Sequence, residues 1–177
     1  MNIFHHQQLR LHWIGLENGF DITVTLSRFI ASGFGTGYWP LIAPGSFASL
    51  ISLCLFVVIR VFVTTNPLLL TIITIFLILI GFLSCQKVVS KQNPDPSYCV
   101  IDEWAGQWIT VLFIPFDWYF LVLGFFLFRI LDIFKPFGIK KLEKIPGGAG
   151  VMCDDLAAGV LGSFLIIVLA LGLRAIQ

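Results

Sequence analysis

Charged residues are scarce in this sequence. Asp, Glu, Lys and Arg make up 12% of the 177 residues, whereas 58% are hydrophobic. A typical soluble domain has about 25% charged residues, and the mean hydropathy of this chain is +0.94. The formal net charge of +1 gives no broad basic surface for nucleic acid. The composition therefore predicts an integral membrane protein that does not bind nucleic acid.

Several motifs built around a nucleophile or a nucleotide are also missing. The sequence contains no Asp-x-Asp-x-Thr nucleophile motif and no Gly-x-x-x-x-Gly-Lys segment. Its three histidines all lie within the first 12 residues, so the core offers no nucleophile for a phosphohistidine mechanism. A Cys-x5-Arg match runs from Cys54 to Arg60, but the residues between them are bulky and apolar. A cysteine-phosphatase loop needs small residues whose amides surround the phosphate. These absences leave carboxylate and metal chemistry as the available route to phosphate transfer.

The four cysteines (Cys54, Cys85, Cys99 and Cys153) show no Cys-x-x-Cys spacing and lie in or beside apolar runs. This pattern predicts small buried hydrophobic side chains rather than disulfides or zinc ligands.

No uninterrupted apolar core occurs in the first 28 residues, so no cleavable signal peptide is evident. We predict that residues 1–28 include a short amphipathic helix on the membrane surface, and a loose N-terminus is the alternative.

Three apolar runs are long enough to cross a bilayer, which takes about 17–25 helical residues. The first two, Ser46–Val63 and Pro67–Ser84, are separated by a short polar turn and predict a transmembrane hairpin. The third, Leu156–Leu173, contains no charged residue.

The segment between residues 98 and 134 is ambiguous because Pro115 and Asp117 interrupt it. As a single span it would place Asp117 deep in hydrocarbon, at a cost of about 2.5–3.5 kcal/mol. As a helical hairpin its arms would be Tyr98–Ile114 and Trp118–Phe134, with Pro, Asp and an interfacial Trp at the tip. We predict the hairpin.

The predicted fold is an all-α polytopic membrane protein, with one domain over residues 1–177 and about five transmembrane or near-spanning helices. The hairpin would place the acidic groups near residues 102, 132 and 154 on one membrane face. Most Lys and Arg residues would share this face with the N-terminus. The positive-inside rule therefore predicts that the face is cytoplasmic.

Five of the ten acidic residues form three groups on this face: Asp102 with Glu103, then Asp132, then Asp154 with Asp155. Clustered carboxylates repel one another unless protons or a cation intervene, and Mg²⁺ prefers such oxygens together with phosphate oxygens. Helix capping is the alternative, because Asp near a helix N-terminus stabilises the helix dipole. Capping accounts for Asp154 equally well, but not for three groups on one face.

Arg129, Asp132 and Lys135 are spaced by three residues and so share a helix face, which Pro136 is expected to end. One interpretation is a carboxylate on a metal, flanked by two cations that receive a phosphate. The other is a salt-bridged surface strip. The nearby Lys140, Lys141 and Lys144 favour general attraction to anionic head groups.

A glycine-rich segment, "SGFGTGYWPLIAPGSFASL", precedes the first long apolar run. Gly35, Thr36 and Gly37 would allow close backbone approach, and Ser46 would be the N-cap of the following helix. Backbone amides at such a place favour phosphate, so we expect these residues to contact the substrate. A turn-rich linker is the alternative.

Four separated segments carry a family resemblance: "GFGTGYWPLIAPGSFASL", "DEWAGQWI", "FRILDIFKPFGIKKLE" and "GGAGVMCDDLAAGV". From about Ser27 to Leu161, and in the same order, they resemble the phosphatidylglycerophosphatase A family. The chain departs from the family pattern at four positions, none of them acidic: Ser46, Ala48, Gly138 and Val151.

The resemblance implies a magnesium-dependent enzyme of the bacterial cytoplasmic membrane that hydrolyses phosphatidylglycerophosphate to phosphatidylglycerol and phosphate. It also implies an active site formed by Asp102, Glu103, Asp132, Lys135, Asp154 and Asp155. We expect the five acids to bind one or two Mg²⁺ ions, and Lys135 and Arg129 to neutralise charge on the phosphate. Direct attack by water and an aspartyl-phosphate intermediate are both compatible with these residues.

Two other functions use acidic clusters in membranes. A lipid phosphotransferase would need an Asp-x-x-Asp-Gly signature, which is absent. A small cation transporter would need acids near the middle of the bilayer with access from both sides, whereas these acids are predicted to gather on one face.

Overall fold

The computed structural model describes residues 22–39, 42–90 and 92–176. Over these ranges the chain forms helices and no β-strand: α1 (Ile22–Ala31), α2 (Pro44–Phe62), α3 (Pro67–Val88), α4 (Ile101–Leu112), α5 (Trp118–Phe134), α6 (Gly148–Ile176), and the 3₁₀ helices Thr36–Tyr38 and Ile139–Lys144. The all-α prediction is confirmed for this part of the chain. Most of the predicted surface segment, residues 1–21, lies outside the described residues, and residues 22–28 belong to α1.

Three of the described helices, α2, α3 and α6, are long and apolar enough to cross a membrane. This finding fits the predicted membrane protein. The other two helices of the predicted five crossings are shorter, since α4 has 12 residues and α5 has 17. At 1.5 Å per residue they measure about 18 and 25 Å, against a hydrocarbon core of about 30 Å.

Several helices begin at other residues than predicted. α2 begins at Pro44, whose fixed φ suits the first helical position, so Ser46 lies inside the first turn and is not the N-cap. α4 begins at Ile101 because residues 96–99 form a turn, in which the Cys99 amide donates to the Pro96 carbonyl at 2.7 Å.

The largest difference is at α6, which begins at Gly148, although the apolar run begins at Leu156. Asp154 and Asp155 therefore lie in the second turn of α6 and not at its mouth. Capping of the helix N-terminus, the alternative explanation for these acids, does not fit this position.

Helices α4 and α5 pack antiparallel, as the predicted hairpin requires. Gly106 in α4 lies against the ring of Phe128 in α5, whereas Gly124, nearer the start of α5, lies against Val111 near the end of α4. The start of α4 and the end of α5 consequently meet at the same end of the bundle.

Helix α4 is the centre of the bundle, because all its residues except Glu103 and Ile109 are buried. Two hydrogen bonds join it to α2: the Ser52 hydroxyl donates to the Trp104 carbonyl at 3.1 Å, and the Trp108 indole donates to the Ser52 carbonyl at 3.0 Å. These bonds satisfy polar groups that would be costly to bury alone, and they fix α4 against α2.

The opposite end of the bundle is marked by the loop between α4 and α5. The guanidinium of Arg60, near the end of α2, lies 4.6 Å from the ring centroid of Phe116. Arg174, near the end of α6, lines a small cavity with Pro115. Helices α2, α4 and α6 thus run from the acidic end of the bundle to this loop.

The cysteines follow the prediction in part. Cys85 and Cys99 are buried, and their sulfur atoms lie 3.3 Å apart as free thiols. Cys153 is half-buried, and Cys54 is exposed on the outer face of α2, where lipid would cover it.

The crossing of α4 and α6 depends on two glycines. A Cβ at Gly159 would overlap the carbonyl of Gly106, and the Thr110 hydroxyl donates to that carbonyl at 2.9 Å and to the Gly159 carbonyl at 3.3 Å. The two backbones can therefore approach closely only without a side chain at Gly159.

This crossing yields a stability prediction. Gly159→Ala should lower the stability of the purified protein by about 1–3 kcal/mol, because the methyl group would force α4 and α6 apart. Thermal unfolding in detergent would measure the change. The matched control is Gly172→Ala in the same helix, where an added Cβ would meet nothing within 4 Å. Equal melting temperatures for the two variants would contradict the close crossing.

Candidate active site

The first turn of α4 carries two of the predicted site residues, Asp102 and Glu103. The residue before α4 is fixed by the Val100 amide, which donates to the Ala31 carbonyl at 2.9 Å. The Trp104 indole donates to the Thr36 hydroxyl at 3.2 Å. The start of α4 is thereby held against α1 and the loop that follows it.

The end of α5 supplies Arg129, Asp132 and Lys135. The Arg129 guanidinium lies 2.7 Å from the Asp132 carboxylate and 3.8 Å from the Glu103 carboxylate. Its side chain is largely buried, so this ion pair joins α5 to α4 away from bulk water. Lys135 ends the helix in a left-handed conformation with φ 45°, which is uncommon for a residue with a side chain.

Gly45 gives this ion pair its space. A Cβ at this position would overlap the Glu103 carboxylate and lie 3.3 Å from Nη2 of Arg129. The glycine-rich segment that leads into α2 therefore contributes to the site through Gly45, in the first turn of α2, which packs closely on Glu103.

Helix α6 brings Asp154 and Asp155, which are both buried, to the same place. Its first turn is fixed on α3, because the Gly148 amide donates to the Gln86 side-chain oxygen at 3.1 Å and Gly148 abuts the backbone of Cys85.

These elements enclose a cavity of about 500 Å³ at one end of the bundle. Its described lining consists of Pro94, Asp95, Cys99, Asp102, Glu103, Asp132, Ile133, Lys135, Glu143, Gly150, Val151, Asp154 and Asp155. Seven of these side chains are carboxylates and one is an ammonium. A phosphate ester entering so acidic a cavity would be repelled unless cations other than Lys135 neutralised the lining.

Three of the carboxylates are arranged as a metal could use them. One oxygen atom from each of Asp102, Glu103 and Asp155 lies within 4.8 Å of the others. Among the described residues, Oε2 of Glu103, Oδ1 of Asp154 and Oδ2 of Asp155 are buried and have no hydrogen-bond partner. Buried carboxylate oxygens are costly without a partner, and a divalent cation would supply one.

Lys135 lies at the centre of a second group of carboxylates. Its ammonium contacts Asp154, lies 2.8 Å from the Glu143 carboxylate and lies 3.9 Å from the Asp132 carboxylate. Burial lowers the pKa of this ammonium, whereas the hydrogen bonds to Asp154 and Glu143 raise it, and the resulting pKa is above its ordinary value. Lys135 is therefore protonated at neutral pH.

The rim of the cavity is apolar on the side of α5. Ile133 lines the cavity and is 63% exposed, and the neighbouring Phe134 and Phe137 are 74% and 90% exposed. An acidic interior thus adjoins a hydrophobic outer surface.

A family model described as Phosphatidylglycerophosphatase A matches residues 29–170 of the chain. The chain belongs to this family. The family resemblance of the four sequence segments is thereby confirmed. Relatives that carry the family name also support the prediction that the protein is a phosphatase.

Three curated relatives cover most of the chain. A protein of Bacteroides thetaiotaomicron, provisionally named a phosphatidylinositol-3-phosphatase, is 38% identical over 82% of this chain and 93% of its own length. Phosphatidylglycerophosphatase A of Escherichia coli is 34% identical over 77% of this chain and 78% of its own length. Phosphatidylglycerophosphatase A of Haemophilus influenzae is 36% identical over 75% of this chain and 82% of its own length. No solved structure gives a significant match.

Within this member of the phosphatidylglycerophosphatase A family, the structure brings together all five predicted acids and Lys135, and Arg129 contacts two of the acids. Gly35, Thr36, Gly37 and Ser46 do not line the cavity. Thr36 binds the Trp104 indole, and a Cβ at Gly37 would overlap the Tyr98 carbonyl. Thr36 and Gly37 therefore pack against the start of α4 and the residues that precede it.

Two carboxylates of the cavity were not among the predicted site residues. Glu143 lies on the 3₁₀ helix Ile139–Lys144, within a run of lysines that suggests an ordinary solvated surface. Asp95 lies in the loop between α3 and α4, next to the fully buried Pro96. The sequence offered one signal for these two acids: Glu143 is the last residue of a segment that carries the family resemblance, and Asp95 precedes another such segment.

The packing of Gly45 yields a prediction about activity. Gly45→Ala should reduce phosphate release by about 10- to 100-fold, because the methyl group displaces the Glu103 carboxylate, and misplacement by about 1 Å can cost 10²-fold. Phosphate release and thermal unfolding should be measured together, with Gly172→Ala as the control. Full activity in Gly45→Ala would show that the position of Glu103 is not critical.

Proposed function

We propose that this protein hydrolyses the phosphate monoester of phosphatidylglycerophosphate, releasing phosphatidylglycerol and phosphate, with Mg²⁺ as its metal. Membership of the phosphatidylglycerophosphatase A family supports this substrate. The observation that carries the proposal is the convergence of Asp102, Glu103 and Asp155 within 4.8 Å in the acidic cavity.

The donor set fits Mg²⁺. The available ligands are carboxylate oxygens, which Mg²⁺ prefers, and a cavity of about 500 Å³ leaves room for the waters that this ion retains. Asp102, Glu103 and Asp155 would hold the ion, with Asp132 and Asp154 beside them as further carboxylate ligands. When bound, Mg²⁺ supplies neutralising charge for the phosphate and lowers the pKa of coordinated water.

The roles of the protein groups follow from their contacts. Arg129 is oriented by Asp132 and Glu103, and Lys135 is held by Asp154, so both cations are fixed beside the acidic cluster. Fixed cations stabilise the charge that develops on a phosphate during transfer without having to reorient. We assign charge neutralisation to Arg129 and Lys135, and metal binding to the five acids.

We further propose that the cavity faces the cytoplasm at the bacterial inner membrane, with α4 and α5 as two further crossings between α3 and α6. Helices α4 and α5 are short, but the bilayer can thin locally around them at modest cost. The lysines near the cavity, Lys140, Lys141 and Lys144, support a cytoplasmic position under the positive-inside rule.

A second candidate substrate is a phosphoinositide. It is favoured by the Bacteroides thetaiotaomicron relative, which is 38% identical and provisionally named a phosphatidylinositol-3-phosphatase. The reaction, hydrolysis of a phosphate monoester on a lipid head group, would be the same.

The direct test is phosphate release by the purified protein from phosphatidylglycerophosphate in mixed micelles, with and without Mg²⁺. Phosphatidylinositol 3-phosphate and phosphatidic acid should be compared at equal surface fraction. We expect Mg²⁺-dependent release, fastest with phosphatidylglycerophosphate. Faster release from phosphatidylinositol 3-phosphate would favour the second candidate, and equal rates after metal removal would contradict the role of Mg²⁺.

Asn substitutions should separate activity from folding. Asp155→Asn and Asp132→Asn should each lower turnover by about 10²-fold or more, because Asn keeps the size of the side chain but removes the charge. The melting temperature of Asp155→Asn should stay the same or rise, because one of several mutually repelling buried carboxylates is lost.

The control is Asp117→Asn at the opposite end of the bundle, which should keep normal turnover. Near-normal turnover in both Asp155→Asn and Asp132→Asn would refute the assignment of the metal site.

The proposed topology can be tested by labelling. A cysteine at Phe116, in a variant without the native cysteines, should react with an impermeant thiol reagent from the periplasmic side, because Phe116 lies in the loop at the end opposite the cavity. Mass shift on intact cells would report the reaction. Labelling from the cytoplasmic side alone would contradict the two crossings and would indicate that α4 and α5 form a re-entrant loop.

A further inference from the structure

The Lys135 ammonium is already surrounded by carboxylates. It contacts Asp154, lies 2.8 Å from Oε1 of Glu143 and lies 3.9 Å from Oδ1 of Asp132. An ammonium has three hydrogens to donate. Asp132, at 3.9 Å, is too distant to accept a hydrogen bond, whereas Asp154 and Glu143 pair with the ammonium directly. A substrate phosphate that binds Lys135 as closely as these two carboxylates therefore competes with them for its positive charge.

The three carboxylates differ in how easily they can leave. The side chains of Asp132 and Asp154 are 10% and 5% exposed, whereas that of Glu143 is 42% exposed. A buried carboxylate that loses its cation stays desolvated and unpaired, which is strongly unfavourable. A carboxylate at the surface is rehydrated by water. Glu143 is the partner whose release costs least.

Release of Glu143 requires movement of its side chain only. The backbone carbonyls of Glu143 and Ile145 lie against Gly150 in the first turn of α6, where an added Cβ would crowd them. The 3₁₀ helix that carries Glu143 is also anchored by the buried Ile139. Glu143 thus has a fixed backbone at the mouth of the cavity and a side chain that can turn into water.

We infer that Glu143 is the exchangeable partner of Lys135, and that the phosphate monoester of the substrate takes its place on the ammonium. Glu143 thereby sets the affinity of the site for anions. A phosphate monoester carries nearly two negative charges at neutral pH and competes well against a single carboxylate. A phosphodiester head group carries one charge, so Glu143 disfavours the phosphodiester lipids that share the membrane with the substrate. This inference rests on the proposed function, because it assumes that Lys135 receives the substrate phosphate.

The test is a kinetic comparison of Glu143→Gln and Glu143→Ala with the unaltered protein on phosphatidylglycerophosphate in mixed micelles. Both variants should lower KM about two- to fivefold, the scale of one surface ion pair, and leave kcat within about twofold. Added phosphatidylglycerol, a phosphodiester, should inhibit both variants more strongly than the unaltered protein. Asp117→Asn is the control for loss of one acid elsewhere and should change neither quantity.

Lys135→Met supplies the second arm. It should lower turnover by about 10²–10³, the scale for loss of one charge-stabilising donor, and in that background Glu143→Gln should no longer change KM. An equal fall in KM with and without Lys135 would mean that Glu143 acts through general charge, and the inference would fail.

A lower kcat with unchanged KM in Glu143→Gln would also overturn the inference. That result would indicate that Glu143 positions the Lys135 ammonium and does not exchange with the phosphate. The proposed function fails separately, if the unaltered protein releases no phosphate from phosphatidylglycerophosphate. Thermal unfolding of each variant would establish that the kinetic differences arise in folded protein.

Discussion

Mutual repulsion of carboxylates held away from water is the constraint on which the rest of this structure depends. Asp102, Asp132, Asp154 and Asp155 are all buried, at most 8% exposed, and they come from three different helices. Like charges in such surroundings favour separation of the helices or uptake of protons and cations. The chain compensates part of this repulsion with Arg129 and Lys135 and leaves several carboxylate oxygens without a partner among the described residues. Those oxygens are available to a metal because the fold prevents the acids from moving apart.

The resistance to separation comes from α4. The first turn of α4, which carries Asp102 and Glu103, is fixed by the burial of every α4 residue except Glu103 and Ile109, by hydrogen bonds to Ser52 of α2 and by close contact with Gly159 of α6. Gly106 and Trp108, which make two of these contacts, lie in the second turn of α4. The acidic residues and the contacts that hold them thus lie in successive turns of the same short helix.

The sequence was sufficient to predict that the acidic groups near residues 102, 132 and 154 meet, because Pro115 and Asp117 indicate a turn and a turn reverses the chain. It was not sufficient to predict the start of α6. Hydropathy treats Asp154 and Asp155 as solvated charges that end an apolar run, whereas their actual partners lie on other helices. Glu143 was missed for the same reason: its lysine neighbours in sequence suggest solvent, and its contact with Lys135 depends on the left-handed turn after α5. The glycines before α2 indicated close backbone approach, but the pattern does not say to what, and Gly37 approaches the Tyr98 carbonyl.

The exposed apolar rim at Ile133, Phe134 and Phe137 has a consequence for kinetics. For the proposed lipid substrate, the head group would enter the cavity over this rim while the acyl chains stay among those of neighbouring lipids, and the bilayer would form the remaining wall of the binding site. The quantity that governs saturation is then the number of substrate molecules per unit area of membrane. Dilution with inert lipid should slow the reaction at constant bulk concentration, and the area of the membrane becomes a variable of the rate law.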